Sequence, residues 1–187
     1  QHITIYIEEC LKMASMALKD INCVVISGGP GSYTGLRVAA SVAKALCFSL
    51  EIPLISIDSL TALAHSTGYI KDGSLIVPLI DARNSNAYTA VFDAERNKLK
   101  EISFEKLNEA FMKDFDAEFI FVGSGAKTLK DNGWYENSEF ILEEERASNL
   151  IVPAFKKYQG QDFENYKIFS PFYLNNPNIT SSKKHLI

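Results

Sequence analysis

The stretch VVISGGPGSYTGLRVAASVAKAL, from Val24 to Leu46, constrains the fold more than any other part of the chain. A continuous β-branched run at residues 23–26 enters a Gly-Pro-Gly turn, and a long pattern rich in small residues follows over 35–50, stopped by Pro53. A strand with no polar alternation is buried on both faces, as strands of parallel sheets are. Before it, Ile3, Ile7, Cys10, Leu11, Ala14, Ala17 and Leu18 recur every three or four positions and predict an amphipathic helix over 3–18. After it come a second buried strand at 54–57 and a helix opened by Asp58 or Ser59 as N-cap. Helix, strand, helix, strand, helix is an α/β pattern built on crossovers.

The texture changes after Gly68. Lys71-Asp72-Gly73 is a turn signal, and runs at 75–80, 87–92 and 98–103 predict an antiparallel meander whose first turn is Asp81-Ala82-Arg83-Asn84. A helix over 105–115, a strand over 118–122 and a second glycine turn, Gly123-Ser124-Gly125, leading to another helix are expected next. Pro153 should kink or restart a helix over 147–158. The organisation expected is two lobes, 1–70 and 71–187, with no internal repeat. The polar tail from Asn175 should be loose. The chain starts at Gln1 and enters a helix at once, so further residues are expected to precede it.

Composition excludes several classes. The 187 residues suffice for one domain or two small lobes, burying roughly 70% of the unfolded surface. A net charge of -4, with Lys156-Lys157 and Lys183-Lys184 as the dense basic pairs, argues against a protein that grips nucleic acid unaided. Cys10, Cys23 and Cys47 are odd in number and sit in apolar segments, so they read as reduced thiols of a cytosolic protein. No run reaches a membrane-spanning length.

The glycine loop, Gly28 to Gly35, departs from the known phosphate motifs. Leu36 and Arg37 follow Gly35 where a P-loop has Lys and Ser/Thr, and Thr34 stands where a dinucleotide fingerprint has its third glycine. Two readings remain. The favoured one is a tight strand-to-helix turn that uses glycine for positive φ and close approach. The other is an anion site at the helix start, with Gly29, Gly31, Ser32, Tyr33, Thr34 and Arg37 near a nucleotide or partner. On the helix, Gly35, Ala39, Ala43 and Cys47 form a stripe at four-residue intervals, extended by Leu36 and Ala40. A helix apolar on so many sides needs cover beyond its sheet, and small residues admit a close partner helix. The alternative is complete burial inside its own fold.

Catalytic constellations are thin. His2, His65 and His185 are isolated, no paired His or Cys motif for a metal is present, and no Gly-x-Ser-x-Gly elbow occurs. His65, in an apolar helical stretch, reads as structural. Asp81 and Arg83 at a strand end suit a ligand contact or a structural ion pair. Gly123-Ser124-Gly125 is a weak nucleotide signal.

The blocks GGPGSYTGLRVAASVAKAL, PLISIDSLTALA, PLIDARNSNAYTAVF, FVGSGA and SPFYL, in this order, resemble the TsaB (YeaZ) family over most of the chain. The resemblance implies an α/β fold of the actin-like ATPase / sugar-kinase (ribonuclease H-like) type, with its opening strands absent from this chain. It further implies a non-catalytic subunit of the machinery that makes threonylcarbamoyladenosine in tRNA. Such a subunit pairs with the catalytic homologue TsaD, is joined by the ATPase TsaE, forms a homodimer when alone, and meets tRNA only through the complex. ATP would be used by the complex, with no cofactor held by this chain; a nucleotide-dependent kinase or ATPase of the same fold is the alternative. The family's helical interface maps onto Ile3, Ile7, Cys10, Leu11 and Ala14 of the first helix and onto Gly35, Leu36, Ala39, Ala40, Ala43 and Cys47 of the second. The sequence departs from the family in lacking the opening strand and in placing Asn175, rather than a basic residue, after Leu174.

Overall fold

A computed structural model describes residues 2–174; the polar tail from Asn175 lies outside the described residues. Helix α1 (Ile3–Met13) stops five residues short of the expected end, because Ser15 takes a left-handed conformation with φ 55°. A 3-10 turn at Leu18–Asp20 follows, closed by the Ala17 N–H donating to Asp20 Oδ2 at 2.8 Å. Strand β1 (Val24–Ser27), helix α2 (Tyr33–Leu50) and strand β2 (Leu54–Ile57) then form a parallel crossover, with Val24 opposite Leu54 and Ser27 opposite Ile57. Helix α2 ends where Glu51 turns left-handed at φ 55°. Helix α3 (Ser59–Ala64) is capped by Asp58, whose carboxylate accepts from the Thr61 N–H and hydroxyl, both at 2.7 Å. Such a cap is worth about 1 kcal/mol.

The second sheet holds β3 (Leu75–Asp81), β4 (Asn86–Phe92), β5 (Lys98–Lys106), β6 (Phe119–Val122) and β7 (Glu139–Ile141), in the order β5-β4-β3-β6-β7. The first three are antiparallel, and β6 and β7 add in parallel. The helix expected over 105–115 is not there: β5 runs on to Lys106, and turns follow. Leu107, Phe111, Met112 and Phe115 all pack on one core, which gives them helical spacing without a helix. Local polar bonds hold the turns instead, Ala110 N–H donating to Asn108 Oδ1 and Met112 N–H to the Tyr135 hydroxyl, both at 2.8 Å. Strand β7, three residues long, left no periodicity to read.

The two sheets repeat a unit that has no counterpart in sequence. In each, a strand leads through a glycine with positive φ into a helix and then a parallel neighbour: β1, Gly29 (φ +99°), α2, β2, and β6, Gly123 (φ +104°), helix α4 (Ala126–Asp131), β7. The Gly28 N–H donates to Ile57 O at 2.8 Å as the Gly123 N–H donates to Ile141 O at 2.9 Å. In the second sheet β6 also pairs with β3, whereas β1 pairs only with β2 among the described residues.

The expected division at residue 71 needs correction for the last part of the chain. A 3-10 turn at Ala147–Leu150 leads into helix α5 (Ile151–Gln159), and both return to the first sheet. Pro153 is tolerated because it lies in the first turn, where the missing N–H costs no helix bond. Ala154 packs on Ile55 and Ile57, on one face of that sheet. On the other face, Tyr166 and Phe169 join Ile26, Leu54 and the buried side of α2. Glu164 N–H donates to Leu54 O at 2.8 Å, and Phe172 N–H to Gly28 O at 2.8 Å. Residues 147–174 therefore complete the first unit's core, which two strands and one helix cannot close on their own.

Candidate functional site

Helix α2 divides the stripe read from its sequence. Leu36, Ala40, Ala43 and Cys47 are buried at 8%, 5%, 4% and 0% exposure, and the last three pack on Ile26 and Leu54. Ala39 is half-buried beside the same core, and only Gly35 is exposed. The expectation that Leu36, Ala40, Ala43 and Cys47 meet a partner is therefore corrected. Small side chains here let the helix sit close to its own sheet.

The free apolar surface lies on the other side of α2 and on α1. Val38 is 44% exposed and Phe48 70%, with Arg37, Ser41 and Ala45 around them. Helix α1 has no buried residue at all: Ile3, Ile7 and Leu11 are half-buried, and Cys10, like Ala14 just past the helix end, is exposed. Ile5, Tyr6 and Met13 stand further out, Met13 at 87% exposure. Between the helices runs a groove of about 600 Å³ lined by Ile7, Leu11, Met16, Leu18, Val42 and Leu46. A helix with no buried side chain gains little by folding alone. Val38 and Phe48 lie on another side of α2 from the four-residue stripe, which packs on the sheet.

The glycine loop is mostly occupied by its own structure. Gly28 and Gly29 give their carbonyls to the N–H groups of Phe172 and Ser59, at 2.8 and 2.9 Å. A Cβ on Gly28 would strike the Ser56 hydroxyl, and one on Gly29 would lie 2.6 Å from Phe172 O. Ser32 caps α2 loosely, its hydroxyl accepting from the Gly35 N–H at 3.4 Å. Tyr33 lies between the Tyr173 ring, 4.8 Å away, and the Arg37 guanidinium, 4.1 Å from its centroid. Gly31, Ser32, Tyr33 and Thr34 border a cleft of about 700 Å³ between the two sheets' loops, with Asp81 and Arg83 on its far wall.

Asp81 and Arg83 do not form a side-chain ion pair; the Arg83 N–H donates to Asp81 Oδ1 at 3.0 Å across a turn in which Arg83, Asn84 and Ser85 all have positive φ. The Ser124 hydroxyl accepts from the Asp81 N–H at 3.0 Å, and Gly125 N–H donates to Leu79 O at 2.9 Å, so the second glycine turn is tied to β3. Deeper in, the Ser27 and Ser59 hydroxyls are 2.8 Å apart beside the half-buried Glu145 carboxyl. Burial raises the Glu145 pKa above the usual carboxylate range, an effect that the two hydroxyls partly offset and the Asp58 charge reinforces. Burial likewise raises the Cys23 and Cys47 thiols, and Cys10 is exposed. Among the described residues no helix is long and apolar enough to cross a membrane.

Comparison with known proteins agrees with this architecture. Residues 1–152 match the family model described as "TsaD: tRNA N6-adenosine threonylcarbamoyltransferase". The chain is 38% identical over 96 residues to the tRNA threonylcarbamoyladenosine biosynthesis protein TsaB of Bacillus subtilis, covering 51% of this chain and 41% of that protein. It is 25% identical to TsaB of Escherichia coli, covering 82% of this chain and 67% of that one. The tRNA N6-adenosine threonylcarbamoyltransferase of Bacillus subtilis is 26% identical over 62% of this chain. The chain thus spans less than half the length of its Bacillus TsaB relative. The crystal structure of a Pseudomonas aeruginosa protein with similarity to peptidase YEAZ superposes with a TM-score of 0.76 at 20% identity, covering 94% of this chain and 83% of that one. The fold is therefore the actin-like, ribonuclease H-like one. From the family model, the curated relatives and the shared architecture, the chain belongs to the family that the TsaD model describes, and within it to the TsaB (YeaZ) members.

Proposed function

We propose that this chain is a non-catalytic subunit of the tRNA threonylcarbamoyladenosine machinery, docking onto a TsaD-type transferase through the outer face of α1 and α2. The names of its relatives supply the pathway. The observation that carries the docking role is a helix with no buried residue, α1, which shares an apolar groove with Val42 and Leu46 of α2, a helix that also exposes Val38 and Phe48. The partner is a homologue of this chain, given its similarity to a transferase of the same family, so two related helical faces would meet. The same face would pair two copies in the partner's absence. TsaE would join the assembled pair, in the cytosol, and tRNA would be modified by the transferase.

The test is co-purification of the full-length protein with the TsaD homologue from the same genome. Replacing Phe48 by Asp should leave the isolated subunit folded and weaken the complex at least about tenfold, as loss of an aromatic anchor at an interface does. Undiminished association of Phe48→Asp and Met13→Asp, each folded, would remove the assignment.

A further inference from the structure

A cavity of about 280 Å³ opens between α3, the β4–β5 turn and α5, on the side of the first sheet away from α2. Four basic side chains from three separate elements line it: His65 after α3, Arg96 in the turn, and Lys156 and Lys157 on α5. The chain as a whole is acidic, with net charge -4, so this convergence is local. Arg96 is aimed by backbone carbonyls, its guanidinium donating to Thr67 O and Gly68 O at 2.8 Å and to Ala94 O at 3.2 Å. Among the described residues neither Arg96 nor Lys156 forms a salt bridge, whereas Lys157 pairs with Asp162 at 3.2 Å. The one carboxylate in the wall, Asp58, is already engaged by Thr61 and by Lys98 at 3.2 Å. The cavity thus carries two uncompensated cations and an imidazole that can add a third.

We propose that this cavity binds a phosphate group, with Arg96 and Lys156 supplying the charge and His65 donating from Nε2 once protonated. His65 Nδ1 lies 2.9 Å from Thr61 O and donates to it, which leaves Nε2 as the free nitrogen. Burial lowers the His65 pKa; the Thr61 carbonyl opposes this, Arg96 and Lys156 add to it, and Asp58 opposes it. An anion among these groups reverses the repulsion, so binding takes up a proton and tightens as pH falls. The proposal needs no partner subunit and stands apart from the docking reading. A free phosphate compound and an RNA backbone offer the same chemistry.

The test follows the His65 ring resonance of the full chain by NMR through a pH titration, in inorganic phosphate and in chloride at matched ionic strength. The His65 pKa should be higher in phosphate, and Lys156→Gln should weaken phosphate binding about tenfold, the worth of a charge-assisted hydrogen bond. Filter binding of tRNA to the same two proteins separates the sources. A parallel loss of tRNA affinity in Lys156→Gln assigns the cavity to an RNA backbone, and tRNA binding that is absent or unchanged assigns it to a small phosphate compound. An identical His65 pKa in phosphate and chloride overturns the proposal.

Discussion

Alanine at Gly29 should be far more damaging than alanine at Gly31, two residues away in the same loop. Gly29 has φ +99°, where a β-carbon is disfavoured by about 1–2 kcal/mol. That carbon would also lie 2.6 Å from Phe172 O and 3.0 Å from Leu36 Cδ1, so the segment around Phe172 must retreat. Its retreat strains or breaks the bond from Phe172 N–H to Gly28 O, worth about 1 kcal/mol. The sum is about 2–3 kcal/mol, or about 5–10 °C in melting temperature for a chain of this size. A β-carbon on Gly31 would meet nothing within 4 Å, and its φ is not positive, so Gly31→Ala should change stability by less than about 0.5 kcal/mol or add slightly to it. Urea denaturation of both variants measures the difference directly. Near-UV circular dichroism would also register loosening of the Tyr33–Tyr173 pair. Equal stability of the two variants, within about 0.5 kcal/mol, would refute the view that this loop is built for close backbone approach.

Other consequences follow from burial. Ala43→Leu should destabilise the subunit by about 1–3 kcal/mol, because Ala43 lies in the core against β1 and β2, whereas Val38→Asp should leave stability within about 0.5 kcal/mol and cost partner affinity. Denaturation and co-purification run side by side distinguish the two. Glu145 has a folded pKa above its unfolded value, so its contribution to stability is lost as pH rises from the unfolded pKa through the folded one. Glu145→Gln should therefore be more stable than the parent at neutral pH, and the gap should close as the solution is acidified below the unfolded pKa, as read by melting curves across pH. Alkylation with a maleimide at neutral pH should modify Cys10 fastest and leave the buried Cys47 protected until unfolding, as peptide mass mapping would show.

Much of the architecture was legible because its signals were local. The β-branched runs at β1 and β2, the Asp58 cap and the apolar runs on either side of the Asp81 turn each announce their element within a few residues. The failures came where tertiary contacts decide. The turns after Lys106 mimic a helix because their apolar residues share one core, and β7 exists only through its pairing with β6. The return of residues 147–174 to the first sheet has no local mark, since Tyr166 and Phe169 could cover either unit. The stripe on α2 shows the same limit for the site. Helical spacing reveals that several faces are apolar, but only packing shows that Ala43 and Cys47 face inward while Val38 and Phe48 face out. The basic cavity, likewise, draws His65, Arg96 and Lys156 from distant segments that no spacing connects.

Hydrogen–deuterium exchange of the full-length subunit, alone and saturated with its TsaD homologue, tests the docking account most directly. Protection on mixing should concentrate in α1 and in residues 37–49 of α2 and leave β3–β5 unchanged. Protection confined to the second sheet, with α1 exchanging as fast in the mixture as alone, would contradict it.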